Sequence, residues 1–579
     1  MASEEPGSAI SGGSGDGATL LGARQRWSLA ALVVVIDALI TGPLMGRGRL
    51  FLLDLGDYPV GPHPPFAPSA FGFPPGVTSR APIEAALYWM IQWTHFEPIA
   101  LLPFAMVAPL ACLGFARLLR GRAVAIAAAT LLFSVNPFVY ERMANGQVYV
   151  VMGYSLLPLV LAVVARPLES RLATAALGGL LVAAQIALSV HYAFITGLAL
   201  VVLAVVHAAY RRREVVVAAV TSLGVGALLS LYWLVPVVGN RLVGLARVTR
   251  TDLSVFATLA DPRWGVGVNL AGLYGFWRPG APLVKDSVGL WPLILAVLLG
   301  VVVVGFVALA RRGGAAGRAL ALAFGLIVVL GFLLALGAQG PTGGLYVLLF
   351  RHLPGFKVMR EPQKFASLVA LGYAVAFGVG VEFLGARVAR RAWRPVALVV
   401  LAALPVLYGF TELWGFDGYA RATRYPADWV GAQAAIAPGS SALAVPWSAY
   451  LPVPWLGGAV VANPLSGYFA GPVISGDNLQ AGPIESESTN PRSRFLLFAL
   501  AEGPRLREFG RDLAALGARY VVLAKVGEWQ SFDWLDHQVD LRRVFNGPTI
   551  AVFASDEVVP AAYEPGSSVT LPDWGSVLA

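Results

Sequence analysis

The sequence predicts a polytopic α-helical membrane protein of about 11 transmembrane helices, N-terminus inside and C-terminus outside, carrying an extracytoplasmic C-terminal α/β domain. Three observations predict it. The 579-residue chain is 57% hydrophobic and only 13% charged, more apolar surface than a soluble domain hides. Apolar runs of roughly 17–25 residues, enough to cross a bilayer, recur along it. Arginines collect in every second connection between those runs, which orients them.

Residues 1–26 are expected to form a cytoplasmic tail. The first 20 are rich in Gly, Ser and Ala and carry Glu4 and Glu5, so they read as disordered rather than as a cleaved signal peptide. Crossings are expected at about 27–46, 97–116, 123–140, 148–165, 172–190, 192–209, 214–238, 288–310, 319–338, 365–386 and 395–412. Only His191 and Tyr192 separate the fifth from the sixth. Arg24 and Arg26 precede the first, and Arg117, Arg120 and Arg122 follow the second. The same sign recurs at Arg166 and Arg171, Arg211 to Arg213, Arg311, Arg312 and Arg318, and Arg387 to Arg394. The alternation puts the long loops 47–96, 239–287 and 339–364 outside, with 141–147 and everything after residue 412. The membrane part is then 27–412 and the outer domain 413–579.

Within 413–579, short β-rich runs at 442–447, 458–463, 520–525 and 549–555 alternate with helical patterns at 427–437 and 494–516. No phosphate-cradling glycine loop stands at a strand–helix junction there. Capping the membrane site, gripping an acceptor and acting as a structural lid are its open roles. The net charge of +9 does not point to nucleic acid, because many of the arginines lie in short clusters between apolar runs. The single cysteine, Cys112, excludes an internal disulfide and a cysteine metal site.

The outer loops hold the chemistry. Residues 82–95 place Ile83, Leu87, Met90 and Ile91 at helical spacing beside Trp89 and Trp93, as in a helix lying on the outer membrane surface or an ordinary packing helix. Asp54 and Asp57 sit in LLDLGDYPVGPHPP, a loop stiffened by Pro59, Pro62, Pro64 and Pro65. A carboxylate partly screened from water there is suited to accept a proton from a sugar hydroxyl. The plain alternative is a turn initiated by Asp57 and a helix end at Asp54. In NPFVYERMANGQ, Glu141 offers a second carboxylate, and Arg142 and Gln147 offer donors to phosphate or hydroxyls; an interfacial ion pair is the alternative. His191 sits at the same face, as a base or as a structural hydrogen-bonding residue. Asp37 lies inside the first crossing and receives no role.

In FRHLPGFKVMREPQKF, Arg351, Lys357, Arg360 and Lys364 cluster on the outer side, against the positive-inside rule. That violation points to a bound anion, a lipid phosphate above all, with attraction to bulk anionic headgroups as the alternative. Trp277, with Trp264, Tyr274 and Phe276, offers aromatic faces to a sugar or to the membrane interface.

These features together resemble the GT-C superfamily of membrane glycosyltransferases. The stretches NPFVYERMANGQVYVVMGYSLLP (136–158), NLAGLYGFW (269–277), LPGFKVMREPQKF (353–365) and LGARYVVLAK (516–525) are similar to proteins related to the arabinofuranosyltransferases of the mycobacterial cell wall, and more distantly to YfhO-like proteins. The resemblance implies a polyprenyl-phosphate sugar donor, an extracytoplasmic glycan, lipid or protein acceptor, and a role in building the cell envelope. It implies a catalytic acidic residue in the first outer loop, hence Asp54 or Asp57. Asp54 is favoured because an apolar run, Asp and then Gly-Pro follow one another in FLLDLGDYPVGP, while Asp57 leaves the assignment open. Phosphate binding falls on Arg360 and Lys364. The chain is shorter than the large arabinosyltransferases, which leaves its acceptor open. A divalent cation would assist the chemistry, but the sequence shows no closed ligand set. The rival functions are a non-catalytic scaffold of envelope assembly and a lipid-linked sugar transporter; the latter needs a polar path that Asp37, Gln185 and His191 alone do not make.

Overall fold

A computed structural model describes residues 21–45, 48–56, 79–94, 102–239, 250–278, 280–476, 480–481, 484–485 and 491–557. Asp57, its prolines, and most of the N-terminal tail lie outside the described residues.

Among the described residues, nine helices are long and apolar enough to cross a membrane, from Ala23–Met45 to Arg391–Asp417. Within the described residues, the two other expected crossings are helical but shorter than that. One is the helix Leu102–Leu118. The other divides into Arg213–Leu229 and Leu231–Gly239 at Ser230, whose hydroxyl donates to the Gly226 carbonyl at 2.8 Å. The closely spaced fifth and sixth spans form separate helices, Arg171–Leu188 and Tyr192–Ala209.

Asn136-Pro137 breaks the third span as its residue types dictate. Asn136 Oδ1 accepts from the Val139 amide at 3.2 Å, and Pro137 starts the short helix Pro137–Ala144, where its missing N–H costs nothing. The Asn136 amide is taken by Glu412 Oε2 at 2.9 Å. Asp37 and Glu412 border one small void between the helices.

The helix Ala366–Gly385 is apolar on all sides and buried along most of its length, the position such a helix must take. It packs on Trp291–Arg312, where a Cβ on Gly305 would overlap the Ala376 carbonyl. Small residues let backbones meet where lipid offers no hydrophobic drive. The basic hairpin 350–365 runs straight into this buried helix. Gly355 turns it at φ +76°, the Tyr346 hydroxyl holds the Met359 carbonyl, and Phe356 packs on Tyr346 and Phe194. The helix expected over 82–95 is present as Ala81–Thr94, with Trp89 and Trp93 exposed.

The C-terminal region contains a five-stranded sheet in the order Leu541–Asn546, Ile550–Ser555, Tyr520–Ala524, Ala442–Val445 and Val473–Ile474. The last three strands run parallel to one another and the first two pairings are antiparallel. Along Tyr520–Ala524, Val522 packs with Trp429 on one face while Val521 and Leu523 pack with Phe509 and Leu513 on the other, the period of two expected of a sheet covered on both sides. The run expected at 458–463 is a strand, but it does not join this sheet. Ala459–Ala462 instead forms a hairpin with Tyr450–Val453.

That hairpin reaches back to the first loop. Arg49–Leu52, just after the first crossing, pairs with Leu55–Gly56 and with Ala422–Thr423, just after the last. The Ala462 amide donates to the Leu53 carbonyl at 2.8 Å.

Candidate active site

Asp54 sits at the tip of the turn between Arg49–Leu52 and Leu55–Gly56. Its amide donates to the Asn145 carbonyl at 2.9 Å. Gly146, at φ +74°, lets the two backbones approach; a Cβ there would lie 2.5 Å from the Leu55 nitrogen and 3.0 Å from that of Asp54. The Tyr450 hydroxyl donates to Asp54 Oδ1 at 2.7 Å. Three separate parts of the chain therefore aim this carboxylate.

It opens onto a cavity of about 900 Å³. Arg351, Lys357, Arg360 and Lys364 line the same cavity, with Gln147, His191, Tyr450 and Arg80. Arg351 and Lys357 are exposed, whereas Lys364 is buried. Arg360 Nη1 lies 3.5 Å from Asp252 Oδ1, and its guanidinium sits over the Phe256 ring at 4.5 Å. The wall is rich in cations around few carboxylates, which suits an anionic group beside a hydroxyl-bearing one.

Part of this wall is a hydrogen-bonded network backed by buried Arg142. Glu361 Oε2 accepts from Arg142 Nη1 at 2.7 Å, and Oε1 from Lys364 Nζ at 3.0 Å. Arg142 Nη1 also donates to Gln147 Oε1 at 2.6 Å, and Gln147 Nε2 to Glu361 at 3.4 Å. Lys364 Nζ meets His191 Nε2 at 2.8 Å, and His191 Nδ1 meets Ser189 Oγ at 2.8 Å. An ammonium has no lone pair, so Nε2 must accept and the neutral imidazole carries its proton on Nδ1, donating to Ser189.

Electrostatics follow the burial. Asp54 is exposed to the cavity, yet the protein packed around it desolvates the carboxyl and raises it above its ordinary 3.8; the charge of Glu361 adds to that, while hydrogen bonds from Tyr450 and Gln147 and the charge of Lys364 pull it down. For Glu361, burial acts to raise the value, but Lys364, Arg142 and His191 outweigh it and hold the carboxyl well below 4.5. Burial, with Lys364 alongside, holds His191 well below 6.5.

Not every sequence candidate joins this cavity. Glu141 is buried with Oε2 accepting from the Gly275 and Phe276 amides at 3.1 and 3.0 Å, so its carboxylate is spent on holding the 269–277 stretch. Trp277 packs edge-on against Phe256 at 4.8 Å, as part of an aromatic cluster outside the cavity lining. Arg142 is also outside the lining and acts on it through Glu361 and Gln147. Sequence reasoning missed Arg80, Glu361 and Tyr450. Glu361 lay inside the quoted basic stretch, masked by the cations around it; nothing local marked Arg80 or Tyr450.

Among the described residues, no group of three or more His, Cys, Asp or Glu side chains is placed to hold a metal ion. Asp54 and Glu361 are the carboxylates on the described cavity wall, and Glu361 is committed to two cations.

No family model matches the chain, and no curated protein matches it. Solved structures do. The cryo-EM structure of the arabinofuranosyltransferase AftD from Mycobacteria superposes with a TM-score of 0.60 at 14% identity, over 93% of this chain and 40% of that one. A mutant form of the same enzyme gives 0.58 at 14% identity, over 93% and 42%. The chain thus spans about two fifths of the length of those proteins. Over most of its own length, its fold is similar to that of these arabinofuranosyltransferase structures.

Proposed function

We propose that the protein is a membrane glycosyltransferase that moves a sugar, arabinofuranose or a hexose, from a polyprenyl-phosphate donor to an extracytoplasmic glycan, lipid or protein acceptor, with inversion. The observation that carries the reading is that the Asp54 carboxylate and the cationic hairpin 350–365 line one cavity in a GT-C fold.

The phosphate of the donor binds against Arg360, Lys364, Arg351 and Lys357. The acceptor hydroxyl lies against Asp54, with Asp57 the second candidate for the same role. The acceptor oxygen attacks the anomeric carbon as the bond from that carbon to the phosphate oxygen breaks. Asp54 takes the hydroxyl proton, and the leaving phosphate keeps the bonding pair among fixed positive charges. One displacement inverts the anomeric centre. Desolvation by the surrounding protein raises the Asp54 carboxyl and strengthens it as a base, and Tyr450 keeps it aimed.

The membrane arrangement is eleven crossings with the N-terminus inside and both the cavity and residues 413–579 outside. The arginine-rich connections support it by meeting one another at the other end of the bundle. Arg122 Nε pairs with Glu382 at 2.5 Å, Arg117 reaches the Arg166 carbonyl, and Arg312 and Arg387 both lie over Phe383.

The test is transfer from a synthetic polyprenyl-phosphate sugar to a cell-envelope acceptor fraction by purified protein. Transfer by wild type that is lost in Asp54→Asn is expected. Donor binding without any turnover would favour a scaffold, and wild-type rates in both Asp54→Asn and Asp57→Asn would remove the mechanism.

A further inference from the structure

Tyr450 lines two cavities. Its hydroxyl holds Asp54 at the first, and it also borders a second, of about 590 Å³, formed within the C-terminal region. A volume of this size lies within the roughly 300–1,000 Å³ of ligand sites. Trp447, Phe532 and Trp534 line it, with Glu528 and Ser531 as polar groups on its wall. Trp447 and Trp534 are nearly buried, at 7% and 8% exposure, so they are fixed walls rather than loose surface rings.

We infer that this second cavity holds a neutral glycan, the acceptor chain whose terminal hydroxyl reaches Asp54 past Tyr450. The inference rests on the sugar-transfer reading of the first cavity and adds the class of its acceptor. A sugar ring presents apolar C–H faces and a hydroxyl edge. Aromatic rings beside a carboxylate and a hydroxyl match both at once. Glu528 is exposed on that wall, where it can accept from ligand hydroxyls and would repel an anionic ligand. The continuity through Tyr450 is the geometric link. A chain lying in the groove has its end at the wall on which the carboxylate is mounted. The strand hairpin Tyr450–Val453/Ala459–Ala462 then serves both sites, with Tyr450 and Leu451 on the second cavity and Tyr450 and Ala462 on the first.

The experiment is saturation-transfer difference NMR on the full-length protein in detergent, with maltotriose, a mannotriose and an arabinofuranosyl trisaccharide as probes. Wild type and Asp54→Asn are expected to transfer saturation to at least one of them. Ala501→Trp, which fills the groove from an exposed helix position, is expected to abolish the signal while leaving the thermal midpoint unchanged. Phe532→Ala is expected to weaken binding about tenfold, the scale of one lost aromatic anchor. No binding of any probe to wild type overturns the inference. So does wild-type binding in Ala501→Trp, or displacement of the trisaccharide from the groove by a polyprenyl phosphate. The readout needs no turnover. Glycan binding without transfer leaves the glycan site standing and refutes the transferase reading, whereas transfer with a groove that binds no glycan refutes this inference alone.

Discussion

Tyr450 donates to Asp54 Oδ1 across 2.7 Å, joining residues 396 positions apart in the chain. The hydrogen bond lowers the Asp54 carboxyl from the higher value that desolvation sets. Asp54 must be ionised to take a proton, so transfer falls as pH drops through a value above the ordinary 3.8. Asp54→Asn is expected to reduce kcat by about 10²–10⁴-fold. Tyr450→Phe keeps the base and is expected to cost about tenfold or less, while moving the acidic limb of the rate profile to higher pH. An unmoved limb in Tyr450→Phe would sink the assignment of Asp54 as the titrating group.

Glu361 is the shared counter-charge of Arg142 and Lys364, with all three side chains at 8% exposure or less. Glu361→Gln leaves two buried cations without it and is expected to destabilise the protein by about 3–5 kcal/mol. The double variant Glu361→Gln/Lys364→Met is expected to recover part of that loss, because one of the stranded charges is gone. Thermal unfolding in a fixed detergent checks both.

His191 gives stability a pH slope. The folded imidazole stays neutral well below 6.5, whereas the unfolded chain takes up a proton near that value. Below 6.5 the unfolded state therefore binds more protons, so stability rises with pH through that window and is lost on acidification. A loss of about 1 kcal/mol is expected for one pH unit below the unfolded value. Chemical denaturation across that range should show a shallower slope for His191→Gln than for wild type.

Gly146 sets the distance between the Asp54 turn and the loop that follows the broken third span. Gly146→Ala adds a Cβ 2.5 Å from a backbone nitrogen, in a left-handed conformation that costs a side chain roughly 1–2 kcal/mol. Transfer is expected to fall at least about tenfold, as a displaced base predicts, with the helical far-UV signal retained. Wild-type turnover in Gly146→Ala would mean that the register of this turn does not matter.

Much of the membrane part was legible because it rests on local signals. Hydropathy marks a helix wherever it runs uninterrupted, and Asn136-Pro137 announces its own break. Among the described residues nine of the expected spans stand by length and composition; of the other two, one is the helix Leu102–Leu118 and the other is divided at Ser230, which hydropathy does not register. The basic hairpin was visible as a cluster of cations ahead of an apolar run. What the sequence hid were pairings over long separations. Glu141 and Arg142 are adjacent and both buried, yet one braces the Gly275–Phe276 backbone and the other supports Glu361. Residue type and spacing are the same for either outcome. Tyr450 was likewise one tyrosine among 18 until the fold carried it to Asp54.

The pairing of Ala462 with Leu53, beside the bond from Tyr450 to Asp54, also orders events during biosynthesis. The ribosome makes the carboxylate early, yet Tyr450, which completes its setting, emerges 396 positions later. A nascent chain with every helix already inserted would still lack a working centre. Under the proposed sugar transfer, stalled or truncated products would be kept from acting on the donor, and competence would arrive only when the last part of the polypeptide folds back onto the first.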